Sequence, residues 1–339
     1  MSWAELSLFE SHDVVRERFE RLHRHELAAA KVAEVTASFA QGHQYFEAAA
    51  TAGPLVSPLL YYYGVNAISR AVILFLDARS WQATLKPSHG LTLPSWEARL
   101  SRGLGHAPEL PIAIGTTGTF AELVHVTGGR IRVPVTRDDY TFEQILAAGT
   151  PRISEATSVS LEEILGRMPD LNELFEDVLG RAADVYSLGV TTFAQSRRTR
   201  IEVFGSVPFG LNEDQLRAQI PELANAKSEP HSGPLDPRPA LRFWVQPHDE
   251  KLAEFTALRY CHGATWLVLP FRSGLNLSPV AVLYLFAFAA GMFSRYFPQH
   301  WLALRSGSRG DRLYPLFREA TALLSRVFAG EVASLLTVG

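Results

Sequence analysis

Two stretches of this chain, 48–69 and 273–294, run without a single charge, and each is followed directly by an arginine. Runs of this kind must be surrounded by protein or by lipid, because exposing so much apolar surface is unfavourable. The first is punctuated by Pro54 and Pro58 and carries Asn66 and three tyrosines. The second becomes continuously apolar only from Pro279 to Phe293. At 1.5 Å per residue that part spans about 22 Å, short of the about 30 Å of a hydrocarbon core. Both runs are therefore read as helices buried in a soluble protein, with no membrane span.

With 339 residues, 47% hydrophobic and 20% charged, the chain can build two ordinary domains or one with an insertion. Its net charge of −3 gives no overall basic field, so nucleic-acid contact would need a local patch. The single cysteine, Cys261, excludes an internal disulfide and a multi-cysteine zinc site. The opening "MSWAELSLFESHD" lacks a basic segment followed by an apolar one, so no secretory signal is expected and the location is read as cytoplasmic.

The expected fold is α+β, with mainly helical N- and C-terminal segments packed together around a mixed β-containing middle. Residues 1–110 form the first segment, 111–275 the middle and 276–339 the last. Apolar spacing predicts a long helix over 13–50 and a second over 59–77. In the last segment Leu313, Leu316, Phe317, Ala320, Leu323, Leu324, Val327 and Phe328 share one helical stripe, with Pro315 tolerated in the first turn. In the middle, alternation on both sides of Gly128-Gly129 predicts a hairpin. "RTRIEVF", "LRFWVQ" and "TWLVLPF" are further strands. Ser160 and Glu163 have capping-box spacing at the start of a helical piece, and the proline-rich 226–240 reads as an exposed loop.

Several common chemistries are missing. "GTTGTF" at 115–120 lacks the lysine and, as read, the strand-to-helix setting of a phosphate loop. Ala29 stands where the second histidine of a zinc-protease motif beginning at His25 would be, and His23 and His25 point to different helix faces. No cofactor and no metal site are expected.

The candidate ligand-binding residues are Asn66, Arg70, Lys86 and His89. Tyr63, Asn66, Arg70 and Asp77 fall on one face of an otherwise apolar helix. Such a stripe either closes on itself, with Arg70 paired to Asp77, or holds a ligand phosphate or carboxylate on the guanidinium fork. Lys86 and His89 lie in a tight Pro/Ser/Gly turn, where they could bind an anion or simply cap the next element. Arg295 and His300 have the R-x4-H spacing of HEPN-type ribonucleases, against which Pro298 interrupts the helix meant to present both. Arg197, Arg198 and Arg200 are either a phosphate-contacting patch or a solvated strand edge. Cys261 and His262 would face opposite ways on a strand.

"LLYYYGVNAISRAVILF", "LKPSHGL" and "YLFAFAAGMFSRYFPQHW", in this order, resemble the YaaC-like family of bacterial proteins. The resemblance rests on Tyr62, Tyr63 and Asn66, on Lys86, His89 and Gly90, and on Arg295, Tyr296, Pro298 and Trp301. It implies the fold and no particular activity, and His300 is not among its fixed positions. The functional expectation is an anionic ligand, a nucleotide or nucleic acid, bound by a regulatory or defence-system component. The alternatives are a metal-independent ribonuclease and a structural subunit with a protein partner or a second copy of itself.

Overall fold

The computed structural model describes residues 3–79, 88–128, 130–137, 140–147, 151–193, 198–206, 208–233, 236–245, 258–261, 264–307 and 311–336. The chain divides into two units, one of 1–127, 152–165 and 280–339, the other of 128–151 and 166–279. Elements are numbered in chain order.

The first unit contains α1 (Trp3–Leu6), α2 (His12–His23), α3 (Ala29–Thr51), α4 (Ser57–Leu76), α5 (Trp96–Leu100), α6 (Thr119–Thr127) and α7 (Leu161–Leu165). From the C-terminal part come α10 (Pro279–Tyr296), α11 (Pro298–Arg305) and α12 (Tyr314–Leu336). A small antiparallel sheet joins β1 (Leu91–Thr92), β2 (Pro111–Ile114) and β5 (Ser158–Ser160), with β2 in the middle.

The two charge-free runs are α4 and α10. Every residue of α10 from Val280 to Ser294 is buried. Burying each Leu, Val, Phe or Met side chain contributes about 1.5–3 kcal/mol, which outweighs the propensity cost of up to about 0.7 kcal/mol for its Val and Phe residues. By length and composition both helices could cross a membrane, yet most of each lies inside the protein. They run antiparallel. Tyr284, early in α10, meets Asn66, while Arg295, at its end, meets the earlier Tyr63. Their crossing is at Gly291, where a Cβ would come 2.8 Å from the Cβ of Tyr62.

The stripe of α12 is buried as its spacing predicts. Phe328 stacks on Phe46 of α3 at 5.6 Å, and Phe317 meets Phe286 and Phe293 of α10 at 6.1 and 6.0 Å. N- and C-terminal helical segments thus share one core, in the α+β plan the sequence implies. The helix expected over 13–50 is two. Arg24 ends α2 in the left-handed region at φ 61°, its N–H bonded to Glu20 O at 2.8 Å, and the chain becomes helical again at Ala29. Phe19 before the break and Val32 after it are both fully buried, so the apolar period continues where the helix does not.

The second unit is built on a sheet. Among the described residues its order is β10 (Leu258–Cys261), β11 (Ala264–Val268), β6 (Val185–Phe193), β7 (Arg198–Phe204), β9 (Asp236–Val245) and β8 (Lys227–Gly233), with all neighbours antiparallel. β3 (Arg130–Arg137) pairs with β4 (Tyr140–Ala147) and, briefly and in parallel, with β6. Alternation sorts the sheet's residues between two faces. Tyr186, Ile201, Val203, Phe243 and Leu267 form a core with Leu216 of α9 (Glu213–Gln219). The opposite face carries Ser187, Glu202, Phe204, Arg242 and Trp266, and Arg242 bonds Glu202 at 2.9 Å and Glu229 at 3.2 Å. α8 (Asn172–Leu179) also belongs to this unit.

Two local expectations change. Residues 119–127 are helix α6, so Gly128 follows a helix and the hairpin pairs β3 with β4 further on; Gly129 lies outside the described residues. The segment 226–240 is largely strand. Pro230 sits on β8, an edge strand that needs no N–H on its outer side, and Pro237 and Pro239 precede the part of β9 paired with β7. The capping box forms as spaced, with Ser160 N–H donating to Glu163 Oε2 at 2.9 Å and Glu163 N–H to Ser160 Oγ at 3.2 Å.

Candidate functional site

Asn66 and Arg70 are half-buried on an otherwise apolar helix, α4, one helical turn apart. Tyr63 stands three residues before Asn66, on the same face. Across from them α10 presents Tyr284, Phe288 and Arg295 at four- and seven-residue intervals. The hydroxyl of Tyr284 donates to Asn66 Oδ1 at 2.8 Å. Arg295 Nη1 donates to the Tyr63 hydroxyl at 3.4 Å, and its guanidinium lies 4.9 Å from the ring centre of Tyr296, which is 57% exposed. Tyr62 fills the gap between the helices, 6.2 Å from Tyr284 and 5.6 Å from Phe288.

Burial sets the protonation of this cluster. It pushes the Tyr62 hydroxyl up to about 12, and Tyr284, fully enclosed, well above the ordinary phenol range. Both stay neutral near pH 7 and serve as hydrogen-bonding groups. Arg70 makes no hydrogen bond and no ion pair among the described residues, although its positive charge reaches the Tyr284 hydroxyl. Asp77 does not neutralise it. That residue ends α4, where its carbonyl accepts from the buried Lys31 Nζ at 2.9 Å and its carboxylate from Arg79 N–H at 3.0 Å.

His89 packs onto the same aromatic cluster, 4.9 Å from Phe288 and 6.4 Å from Tyr62. Leu91 N–H donates to its Nδ1 at 3.2 Å, so the neutral ring carries its proton on Nε2. Desolvation lowers its pKa, which keeps the ring neutral. The turn holding it has a structural task as well. Ser88 O and His89 O accept from Thr119 and Phe120 N–H at 2.9 and 3.1 Å, and Gly90 O accepts from Gly115 N–H at 2.8 Å. The setting of 115–120 is strand to helix, β2 to α6, contrary to the sequence reading. Its first helical donors are nevertheless taken by the 88–89 carbonyls, so a phosphate would find them occupied. Gly90, at φ 75°, is needed here, since a Cβ would collide with the Thr117 carbonyl.

The structure therefore brings Asn66, Arg70, His89 and Arg295 around one tyrosine-rich cluster in the helical unit. Lys86 lies outside the described residues. Arg295 and His300 are presented by different helices: α10 ends at Tyr296, Phe297 breaks it at φ −128° and ψ 49°, and Pro298 starts α11. Trp301 is buried and donates to Pro54 O at 3.1 Å, anchoring α11 to the turn before α4. In the other unit, Arg198 and Arg200 lie on β7, and Arg200 is 3.7 Å from Glu202 Oε2; Arg197 lies outside the described residues. Cys261 ends β10, and His262 lies outside the described residues.

Sequence reasoning passed over a cavity of about 400 Å³ in the second unit, lined by Glu173, Glu176 and Asp177 of α8 and by Phe204 and Trp266 of the sheet. The run "NELFED" holds the available signal, three carboxylates at positions i, i+3 and i+4 of a short helix.

Fold and site together define an α+β protein whose helical unit surrounds a tyrosine cluster with arginines from two antiparallel helices. The family model described as YaaC-like protein matches residues 7–336, and the chain belongs to that family. No curated protein and no solved structure matched it.

Proposed function

We propose that the α4–α10 face binds an anionic, phosphate-bearing ligand, a nucleotide or a nucleic acid, as the recognition step of a regulatory or defence-system component. The observation that carries this reading is Arg70, a half-buried residue whose guanidinium has no carboxylate partner among the described residues, one turn from an amide whose oxygen is already engaged. With Oδ1 accepting from Tyr284, Asn66 keeps its two NH2 donors for a ligand. Arg70, Arg295, Asn66 and the Nε2–H of His89 supply donors and positive charge, the complement of a phosphate. Arg70 and Arg295 are separated by about 10 Å along α4, the rise of the seven residues from Tyr63 to Arg70. That spacing suits more than one phosphate group. The exposed ring of Tyr296 beneath Arg295 adds a surface on which a base can stack.

The test is equilibrium binding by the full chain to ATP, to a cyclic dinucleotide and to a single-stranded RNA oligonucleotide, with adenosine as the phosphate-free control. The reading expects saturable binding of at least one phosphate-bearing probe, weakened by salt, and none of adenosine. Equal binding of adenosine and ATP would remove the phosphate from the account.

A further inference from the structure

Glu176 is a buried residue, 8% exposed, and lines the cavity of the second unit. Ala183 N–H approaches its Oε1 at 3.4 Å and the Ser206 side chain also bonds to it, but no basic side chain pairs with it among the described residues. A buried carboxylate without a counter-charge is unfavourable unless it takes up a proton or meets a cation. Its neighbours on α8 increase the demand. Glu173 and Asp177 stand three residues before it and one after, and their charges add to the desolvation that raises its pKa. Like charges at i, i+3 and i+4 also weaken a helix.

The floor of the cavity follows from strand register. Phe204 opposes Ser187 across β7 and β6, and Ser187 opposes Trp266 across β6 and β11. The three side chains form a row on the sheet face that α9 does not cover. Arg238 completes the lining, with its guanidinium 4.9 Å from the Phe204 ring centre and bonded to Ser187 Oγ at 2.9 Å. Among the described residues that line the cavity, Glu173 and Glu176 thus face it from α8 and Arg238 from β9. Among the described residues no three of His, Cys, Asp and Glu converge closely enough to hold a metal ion. The negative charge is spread along a wall of a chamber sized for a small molecule.

We propose that this cavity binds a small organic cation, a primary amine or guanidinium on an apolar stem, with its charge on Glu176 and Glu173 and its stem against Trp266. Trp266 and Phe204 offer apolar walls, and the indole face also attracts a cation.

The experiment titrates the full chain calorimetrically with agmatine and with putrescine, using glutarate as the anionic control. Saturable binding of an amine and none of glutarate is expected. Glu176→Gln keeps the side chain's size and should weaken amine binding about tenfold or more, the effect of losing a charge-assisted hydrogen bond. Arg70→Ala should leave amine binding unchanged, which separates this site from the anion site of the helical unit. If circular dichroism shows that Glu176→Gln does not fold, Glu173→Gln, at an exposed position, should still weaken binding. Failure of the wild-type chain to bind either amine would overturn the proposal. So would unchanged affinity in whichever of the two variants is folded.

Discussion

Tyr284 on α10 donates its hydroxyl to Asn66 Oδ1 on α4 at 2.8 Å, across 218 residues of sequence. This bond ties the C-terminal helical segment to the N-terminal one inside an apolar core. It also fixes which end of the Asn66 amide remains for a ligand.

Tyr284→Phe removes the donor and leaves the Asn66 carbonyl oxygen without it. The expected loss is about 1–3 kcal/mol of unfolding free energy, measured by urea denaturation. Asn66→Leu with Tyr284→Phe should cost less than the sum of the two single changes, because neither polar group is then left alone. Strict additivity would mean that the bond contributes little.

Gly291→Ala places a methyl 2.8 Å from the Cβ of Tyr62 at the crossing of α4 and α10. Neither atom lies at the end of a flexible side chain, so the helices must move apart. A cost of about 1–3 kcal/mol is expected. The same change should weaken ligand binding on the α4–α10 face, because Arg70 and Arg295 reach it from the two helices being separated. A stable variant with unaltered binding would contradict the crossing geometry.

His89 gives the helical unit a pH dependence with a defined sign. Burial lowers its folded pKa, so below the ordinary imidazole value of about 6.5 the unfolded chain takes up more protons than the folded one. Stability contributed by His89 is therefore present above that pH and lost as the pH falls through the window below it. Melting temperatures between pH 7.5 and pH 5 should fall more steeply for the wild type than for His89→Asn. Parallel curves would place the acid sensitivity elsewhere.

Much of the helical unit was legible because its signals are local and periodic. The α12 stripe, the span of α4 and the Ser160–Glu163 capping box each follow from spacing within one segment. The break between α2 and α3 was not legible, since no glycine or proline marks it and Arg24 itself takes the left-handed conformation. Residues 226–240 read as loop because prolines oppose strand pairing, which an edge strand such as β8 tolerates. Among the site residues, Asn66 and Arg70 stood out as polar groups on an apolar helix. The cavity of the second unit was hidden for the opposite reason. Glu176 and Trp266 are 90 residues apart, and only strand register and the placement of α8 join them.

The central claim is that Arg70 and Arg295 serve a bound anion. Its most direct test is calorimetric titration of whichever phosphate-bearing probe the wild type binds into Arg70→Ala, Arg295→Ala and the double variant, each checked for folding by circular dichroism. Losing a charge-assisted hydrogen bond of about 1.5–3 kcal/mol predicts that each single change weakens binding about tenfold or more. The double change should abolish measurable binding. Folded variants that bind the probe as tightly as the wild type would contradict the account.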